Sequence, residues 1–204
     1  MKSTIVLAIT FAVAGCGDSG GGGDMNAAAD MGVYHRVFVS SMNFTGDFGG
    51  LTGADSACVT AAGVAGLGGN WVAWMSDTTN NAIDRIKNDV GPWYRLDGLL
   101  VFANKAQMKM LPSAPIDVDE NGLVTHAEGV WTGTLVGGTS ASAAPPTDGG
   151  PFSANCEQWF TSGMNDPPPG PFGHSGSVDF KDQSWTDQGQ VSCQQLQRIY
   201  CIEQ

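Results

Sequence analysis

Alternating apolar and polar positions mark the first structural elements of this chain. Residues 34–40 alternate in this way, which is typical of a strand. Residues 51–62 are rich in alanine, begin beside Thr52 as a candidate N-cap and are followed by glycines, so they predict a helix. The apolar run at 71–75 predicts a buried strand. A strand, a helix and a second strand are therefore expected in this order.

The rest of the chain predicts a second helix, a hairpin and long irregular segments. The helix is expected over residues 78–88. Short apolar runs at 94–103 flank the dipeptide Asp97-Gly98, and Asp-Gly is a strong hairpin signal. Short strands and loops are expected beyond it. Proline and glycine are too dense for regular structure at 137–150 and 166–176.

The N-terminus carries a short apolar run of another kind. Lys2 precedes the run at 5–13 and small residues follow it, which is the layout of a secretory signal. The run has about half of the roughly 20 residues that a membrane-spanning helix needs. Cys16 comes directly after the small residues, and this arrangement resembles the lipobox of bacterial lipoproteins. The resemblance implies a signal peptide at 1–15 and a lipid anchor on Cys16; the alternative is an ordinary secretory peptide in which Cys16 has no role.

A glycine-rich segment follows the cysteine. Residues 16–32 have the composition of a flexible tether, and we place the folded domain at 33–204. In lipoprotein families an aspartate after the lipidated cysteine favours the inner membrane, so Gly17 implies the outer membrane. The expected location is the bacterial cell envelope, where the lipid on Cys16 attaches the chain to the outer membrane.

Charge excludes one class of partner. The whole chain has a formal net charge of −11, with 9 basic and 20 acidic residues. Removal of Lys2 with the signal leaves 8 basic residues against the same 20 acidic ones, a net charge near −12. Such a chain repels nucleic acid and anionic headgroups, so no nucleic-acid partner is expected.

Four cysteines remain for the folded domain: Cys58, Cys156, Cys193 and Cys201. In an oxidising compartment the default is disulfide pairing. Zinc is the rival, but the spacings contain no C-x-x-C pair and no histidine lies near these cysteines in sequence. Four cysteines permit three connectivities, and the spacing does not choose among them.

Several short blocks of the chain resemble endostatin, the C-terminal domain of certain collagens. They occur in the same order as in that family and span nearly the whole domain: residues 49–58, 65–69 with 71–74, 130–133, 155–159, and 192–193 with 200–203. On these blocks the chain is identified as a member of the bacterial lipoproteins that carry an endostatin-like domain.

The resemblance implies an α+β fold of the C-type-lectin-like class. Its features would be a twisted, mainly antiparallel sheet, two helices, long loops and the two disulfides Cys58–Cys201 and Cys156–Cys193. The heparin binding of endostatin relies on a basic surface, so it is not expected of this acidic chain.

One segment matches a calcium-binding loop. Asp117, Asp119, Asn121, Gly122 and Glu128 fit D-x-D-x-N-G-x5-E, which places oxygen ligands at alternate positions and a glycine at the sharp turn. Prolines precede the segment where an EF-hand needs a helix, and a strand-like run follows it. The alternative is therefore a hairpin turned at Asn-Gly, with solvated acidic side chains.

Six tryptophans suggest a surface on which carbohydrate could stack. Four of them lie in strand-like runs or in a block shared with endostatin and are expected in the core. Trp93 and Trp185 lie nearer to loops and remain the candidate ligand-binding residues.

The sequence contains no recognisable catalytic constellation. Residues 173–177 approach G-x-S-x-G, but Ser177 replaces the last glycine. No cofactor is predicted besides the calcium candidate. We expect a surface-displayed, non-catalytic, adhesin-like binding module for an extracellular protein or glycan, with the loops at 137–150 and 166–176 as recognition elements. Related endostatin-like lipoproteins include adhesins for extracellular-matrix and serum proteins. The alternatives are a passive structural lipoprotein of the envelope and an unrecognised enzyme.

Overall fold

The computed structural model describes residues 34–88, 90–143, 154–163 and 171–204. These residues belong to one compact unit, Gly32–Gln204. The predicted signal peptide, Cys16 and the tether lie outside the described residues, as do parts of the two predicted recognition loops. Among the described residues, no helix is both long enough and apolar enough to cross a membrane.

A sheet of eight strands organises this part of the chain. The strands are β1 His35–Val39, β2 Trp71–Ala73, β3 Trp93–Arg95, β4 Leu100–Phe102, β5 Gly129–Trp131, β6 Phe172–Ser177, β7 Gly189–Ser192 and β8 Arg198–Glu203. Their order is β4-β3-β1-β8-β5-β6-β7, and β2 also pairs with β8. The pairs β1–β3 and β5–β8 are parallel, and the other pairings are antiparallel. The sheet is mixed and mostly antiparallel, so the predicted α+β class is confirmed.

The two central strands are apolar at residues 37–39 of β1 and 199–202 of β8, because both faces of the sheet are covered there. Val37 of β1 and Ile202 of β8 face one hydrophobic cluster, and Phe38 and Cys201 face the other. Each cluster contains three of the six tryptophans. This two-sided burial explains why β8 does not alternate apolar and polar residues as a half-exposed strand does.

The first helix, α1, runs from Leu51 to Val64 and packs on the second face. It ends close to Gly63 and Gly66, as the glycines in the sequence predicted. Its N-cap is Gly50, and no side chain caps it, so the predicted capping role of Thr52 is wrong: Thr52 lies inside the first turn. The buried side chains of α1 are small and lie four residues apart, which lets the helix approach the sheet closely: Ala54, Cys58 and Ala62.

The second predicted helix is only one turn long, α2 at Ala82–Arg85. Asp77 explains its late start. The carboxylate of Asp77 accepts hydrogen bonds from the backbone N–H of Thr79 at 2.8 Å and of Asn80 at 2.7 Å, and these bonds hold a turn where helix was predicted. Burial disfavours the charged carboxylate, but the hydrogen bonds outweigh it and hold the pKa of Asp77 below its ordinary value.

Two further one-turn helices were not predicted. Helix α3, Lys105–Met108, is capped by Asn104, whose side chain accepts from the N–H of Gln107 at 3.0 Å. Helix α4, Cys156–Trp159, is left-handed, because all four of its residues have φ between +49° and +67°. Left-handed turns of non-glycine residues are costly, so the surrounding structure must hold this one.

Strand β6 corrects the prediction of an irregular segment up to residue 176. Its glycines serve close packing rather than turns. A Cβ on Gly173 would lie 2.7 Å from the Sγ of Cys156, and one on Gly176 would lie 2.2 Å from the carbonyl oxygen of Trp185. The strand therefore needs residues without side chains at the positions that gave the sequence its loop-like composition.

Both disulfides have the pairing that the resemblance to endostatin implies. Cys58–Cys201 joins α1 to β8, and Cys156–Cys193 joins α4 to the segment after β7. All four cysteines are buried.

Candidate functional site

The candidate site lies at the end of the sheet where β1 finishes, which we call the distal end. The described chain enters β1 at the opposite end, from Tyr34. Three segments meet beyond the distal end: residues 40–44 after β1, residues 117–125 before β5, and residues 196–197 before β8.

Hydrogen bonds hold the three segments side by side. The N–H of Ser41 donates to Oε2 of Glu120 at 2.8 Å, which ties the first segment to the second. The N–H of Phe44 donates to the carbonyl of Gln197 at 2.7 Å, which ties it to the third. Ser40 strengthens the junction, because its Oγ accepts from the N–H of Ile199 at 3.0 Å.

Each segment exposes a large apolar side chain. Met42 is 65% exposed, Leu123 64% and Leu196 65%, and Val124 beside Leu123 is also exposed. We call these four residues the distal surface. Single exposed apolar residues are ordinary on proteins, but several on adjacent segments of one end are typical of an interaction surface.

Negative charge accompanies the distal surface. The carboxylate of Asp119 accepts from the backbone N–H groups of Asn121 and Leu123, both at 2.9 Å. Glu120 accepts from the N–H and the hydroxyl of Ser41. All of these donors are neutral, so they fix the two carboxylates in place without compensating their charge.

Arg95 connects the same region to β3. Its guanidinium bonds to the carboxylates of both Asp97 and Asp117, and one cation is thus shared by two anions. The hydrogen bond to Asp97 raises the pKa of Arg95, although burial acts against it, and the same bond lowers the pKa of Asp97. The group of three keeps an excess negative charge.

The four predicted calcium ligands are not brought together. Asp117 bonds to Arg95, Asp119 bonds to backbone N–H groups, and Glu128 lies 3.6 Å from the guanidinium of Arg198. Asn121 is exposed at the tip of the turn. Within the ranges that the structure describes, no three His, Cys, Asp or Glu side chains are grouped as a metal site.

The segment is the hairpin that the sequence offered as the alternative, but its acidic side chains are not solvated as that alternative expected, because Asp119 is 4% and Glu120 8% exposed. Val118 pairs with Val124, the N–H of Asp119 donates to the carbonyl of Leu123 at 2.9 Å, and Gly122 has the positive φ that the turn requires. The hydrogen bonds of the hairpin use the carboxylate of Asp119, one of those that calcium would need.

We therefore expect calcium to leave the stability of the protein unchanged. The melting temperature should be the same with millimolar calcium and with chelator, because a ligand raises it only by binding the native state. Differential scanning fluorimetry of wild type and of Asp117→Asn measures this. A melting temperature that rises with calcium in wild type but not in the variant would contradict the assignment.

The two tryptophans predicted to bind ligand are buried, so that prediction is wrong. The indole N–H of Trp93 donates to the carbonyl of Glu203 at 2.8 Å. Trp185 packs against Trp74 at 5.1 Å between ring centroids and against Phe102 at 5.4 Å. All six tryptophans are buried, because the two clusters need large rings to fill the space beside small residues. None presents a ring face on which a sugar could stack.

The residues of the near match to a nucleophile motif, 173–177, do not form a catalytic arrangement in the structure. His174 bonds through Nε2 to Oδ1 of Asp187 at 2.6 Å. Ser175 is the next residue of β6, so its side chain faces the other side of the sheet, where Oγ donates to Gln197 at 2.6 Å. The histidine and the serine do not form a base and nucleophile pair.

Comparison with models of protein families gives no match, and comparison with curated protein sequences gives none either. The candidate site is therefore the distal end. Sequence reasoning missed Met42 and Leu196; the only signal was that each is a lone apolar residue among polar neighbours.

Proposed function

We propose that the protein is a lipid-anchored, non-catalytic binding module that displays its distal surface to a protein partner outside the outer membrane. The proposal includes a signal peptide at 1–15, lipid on Cys16, a tether at 16–32 and an endostatin-like domain of the C-type-lectin-like class. The paired disulfides, α1 against β8 and the mostly antiparallel sheet support that class.

One observation carries the proposal: the distal surface and the entry of the chain lie at opposite ends of β1. Tyr34 precedes the five residues of β1, and Met42 follows them. At about 3.3 Å per residue the strand separates the two ends by roughly 15 Å. A tether would therefore join the domain at the end opposite the distal surface and would leave that surface available to a partner.

The chemistry of the distal surface favours a protein over a carbohydrate ligand. Carbohydrate recognition uses flat aromatic faces, and the tryptophans are buried. Methionine and leucine are flexible apolar side chains, and methionine is enriched in protein interfaces. We therefore assign the recognition of an extracellular protein to Met42, Leu123, Val124 and Leu196.

The test uses the full-length lipoprotein on bacterial cells and a panel of purified extracellular-matrix and serum proteins. Cells that display wild type should bind at least one of them saturably. The double variant Met42→Ser/Leu196→Ser should weaken that binding by about tenfold or more, as loss of central apolar contacts does. The matched control is Val64→Ser, because Val64 is 84% exposed at the end of α1, away from the distal surface.

Two outcomes would overturn the proposal. Binding that is unchanged in the double variant would move the site elsewhere, and no binding to any protein of the panel would favour a passive structural role.

The lipid anchor is a separate prediction. Cys16→Ala removes the residue that would carry the lipid, so it should release the protein from the membrane fraction. Sedimentation with membranes after a high-salt wash would show another means of attachment.

A further inference from the structure

We infer that the partner of the distal surface is a basic amphipathic protein segment, in which lysine and arginine side chains surround an apolar centre. This inference rests on the proposed function and specifies its partner. It follows from the charges that lie among the exposed apolar residues.

The negative charges and the apolar side chains are interleaved at the distal end. Glu120 binds Ser41, the residue before Met42, and Asp119 binds the N–H of Leu123. A partner that covers the apolar side chains must therefore lie over both carboxylates. Its own charges close to them must be positive, because like charges brought together at an interface are costly.

The cations nearby do not cancel the negative electrostatic field of these carboxylates. Arg95 is shared by Asp97 and Asp117, and Arg198 faces Glu128 at 3.6 Å. Arg198 also donates to the carbonyl of Ser40 at 2.6 Å. Two cations thus face five carboxylates at this end, so an excess of negative charge remains, and the two carboxylates nearest the apolar side chains, those of Asp119 and Glu120, have neutral donors. Both carboxylates are largely covered, so they act through their field more than through direct ion pairs.

Charge also decides among the other occupants. A second copy of the chain would bring the same excess of negative charge to the contact, and the whole chain has a net charge of −11. Anionic lipid surfaces and nucleic acids are repelled for the same reason. A neutral glycan would gain nothing from the field. A cationic, apolar-centred protein segment satisfies both properties of the surface.

The test measures the binding of three fluorescent helical peptides to the purified, lipid-free Cys16→Ala chain. The first peptide has leucine on one face of the helix and lysine on the other. The second has glutamate in place of lysine, and the third has serine in place of leucine. Fluorescence anisotropy should show saturable binding of the leucine–lysine peptide, about tenfold tighter than that of either other peptide. Raising the salt from about 0.05 to about 0.5 M should weaken this binding.

Variants assign the binding to the distal end. Asp119→Asn/Glu120→Gln removes both charges and keeps one acceptor oxygen on each side chain, which suffices for the backbone N–H groups of Asn121, Leu123 and Ser41. The new amide of residue 120 can donate to the hydroxyl of Ser41, which now accepts. The variant should therefore lower the affinity severalfold and reduce its salt dependence. The matched control is Asp84→Asn on α2, because Asp84 is likewise held by a neutral donor, the side chain of Asn81 at 2.8 Å. Met42→Ser/Leu196→Ser should abolish binding. Unchanged melting temperatures exclude misfolding as the cause.

Several results would overturn the inference. These are equal binding of the serine–lysine peptide, preference for the glutamate peptide, an equal effect of Asp84→Asn, or concentration-dependent dimers in sedimentation velocity that Met42→Ser/Leu196→Ser removes. A failure of this inference can be distinguished from a failure of the proposed function. If the apolar variants lose a partner on cells while the charge variants retain it, the binding module stands and the basic partner does not.

Discussion

Replacing both Cys58 and Cys201 by alanine is expected to lower the free energy of unfolding by about 5 kcal/mol. The disulfide joins residues 143 positions apart, and so closes a loop of most of the folded domain. In the chain-entropy model, a longer loop restricts the unfolded chain more strongly. The bond also fixes α1 on the central strand β8. Since small domains have only about 5–15 kcal/mol of stability, the variant should lose a third or more of it.

The measurement is urea unfolding followed by tryptophan fluorescence, since the buried tryptophans report on both clusters. The control is Cys156→Ala/Cys193→Ala, which opens a loop of sequence separation 37. We expect a cost of about 4 kcal/mol there, and less if the left-handed turn of α4 relaxes when it is released. A larger cost for the second pair than for the first would contradict the role of loop length.

Local patterns predicted the elements that local interactions determine. The hairpin at Asp97-Gly98 forms because Gly98 has a positive φ of 87°, which the turn needs. Helix α1 and strand β1 lie where the sequence predicted them. The apolar residues of β1 are covered on both faces of the sheet, and α1 turns its row of small side chains to one of those faces. The disulfide pairing followed from the resemblance of several blocks in order, since spacing alone left three connectivities open.

The remaining elements depend on contacts between residues far apart in sequence. Gly173 in β6 looks like a loop residue, but Cys156 and Trp131 occupy the space beside it. The left-handed α4 forms where the disulfide to Cys193 and the hydrogen bond from the indole of Trp159 to Ser76 hold it. No sequence pattern in residues 156–159 predicts the left-handed conformation, which L-residues avoid.

The candidate site was missed for a related reason. Trp93 and Trp185 seemed exposed because they lie close to turns in sequence, but the turns bring them back over the sheet. Met42 and Leu196 lie 154 positions apart, and the pairing of β1 with β8, continued by that of Phe44 with Gln197, places them at one end. A surface made from three distant segments has no continuous signature in the sequence.

Two glycines of α1 are expected to respond in opposite directions to the same substitution. In a helix, alanine is more favourable than glycine by about 1 kcal/mol, because glycine loses more backbone freedom on folding. Gly63 lies near the end of α1, and a Cβ there would meet nothing within 4 Å. Gly63→Ala should therefore raise the free energy of unfolding by about 0.5–1 kcal/mol.

Gly53→Ala should instead lower the free energy of unfolding by about 3 kcal/mol. A Cβ on Gly53 would lie 1.7 Å from the carbonyl oxygen of Phe48, which is far inside van der Waals contact. Phe48 cannot move away freely, because its N–H donates to the carbonyl of Trp159 at 2.9 Å and so ties this turn to α4. The clash must displace either the start of α1 or the left-handed turn.

Comparing the two variants separates the effect of side-chain packing from that of helix propensity, because both substitutions restrict the unfolded chain in the same way. Urea unfolding of Gly53→Ala, Gly63→Ala and wild type gives both differences under one condition. Stabilisation by both variants would show that the turn before α1 yields easily, and that the contact of Phe48 with the helix is loose. Destabilisation by both would mean that α1 depends on glycine for a reason other than the approach of Phe48.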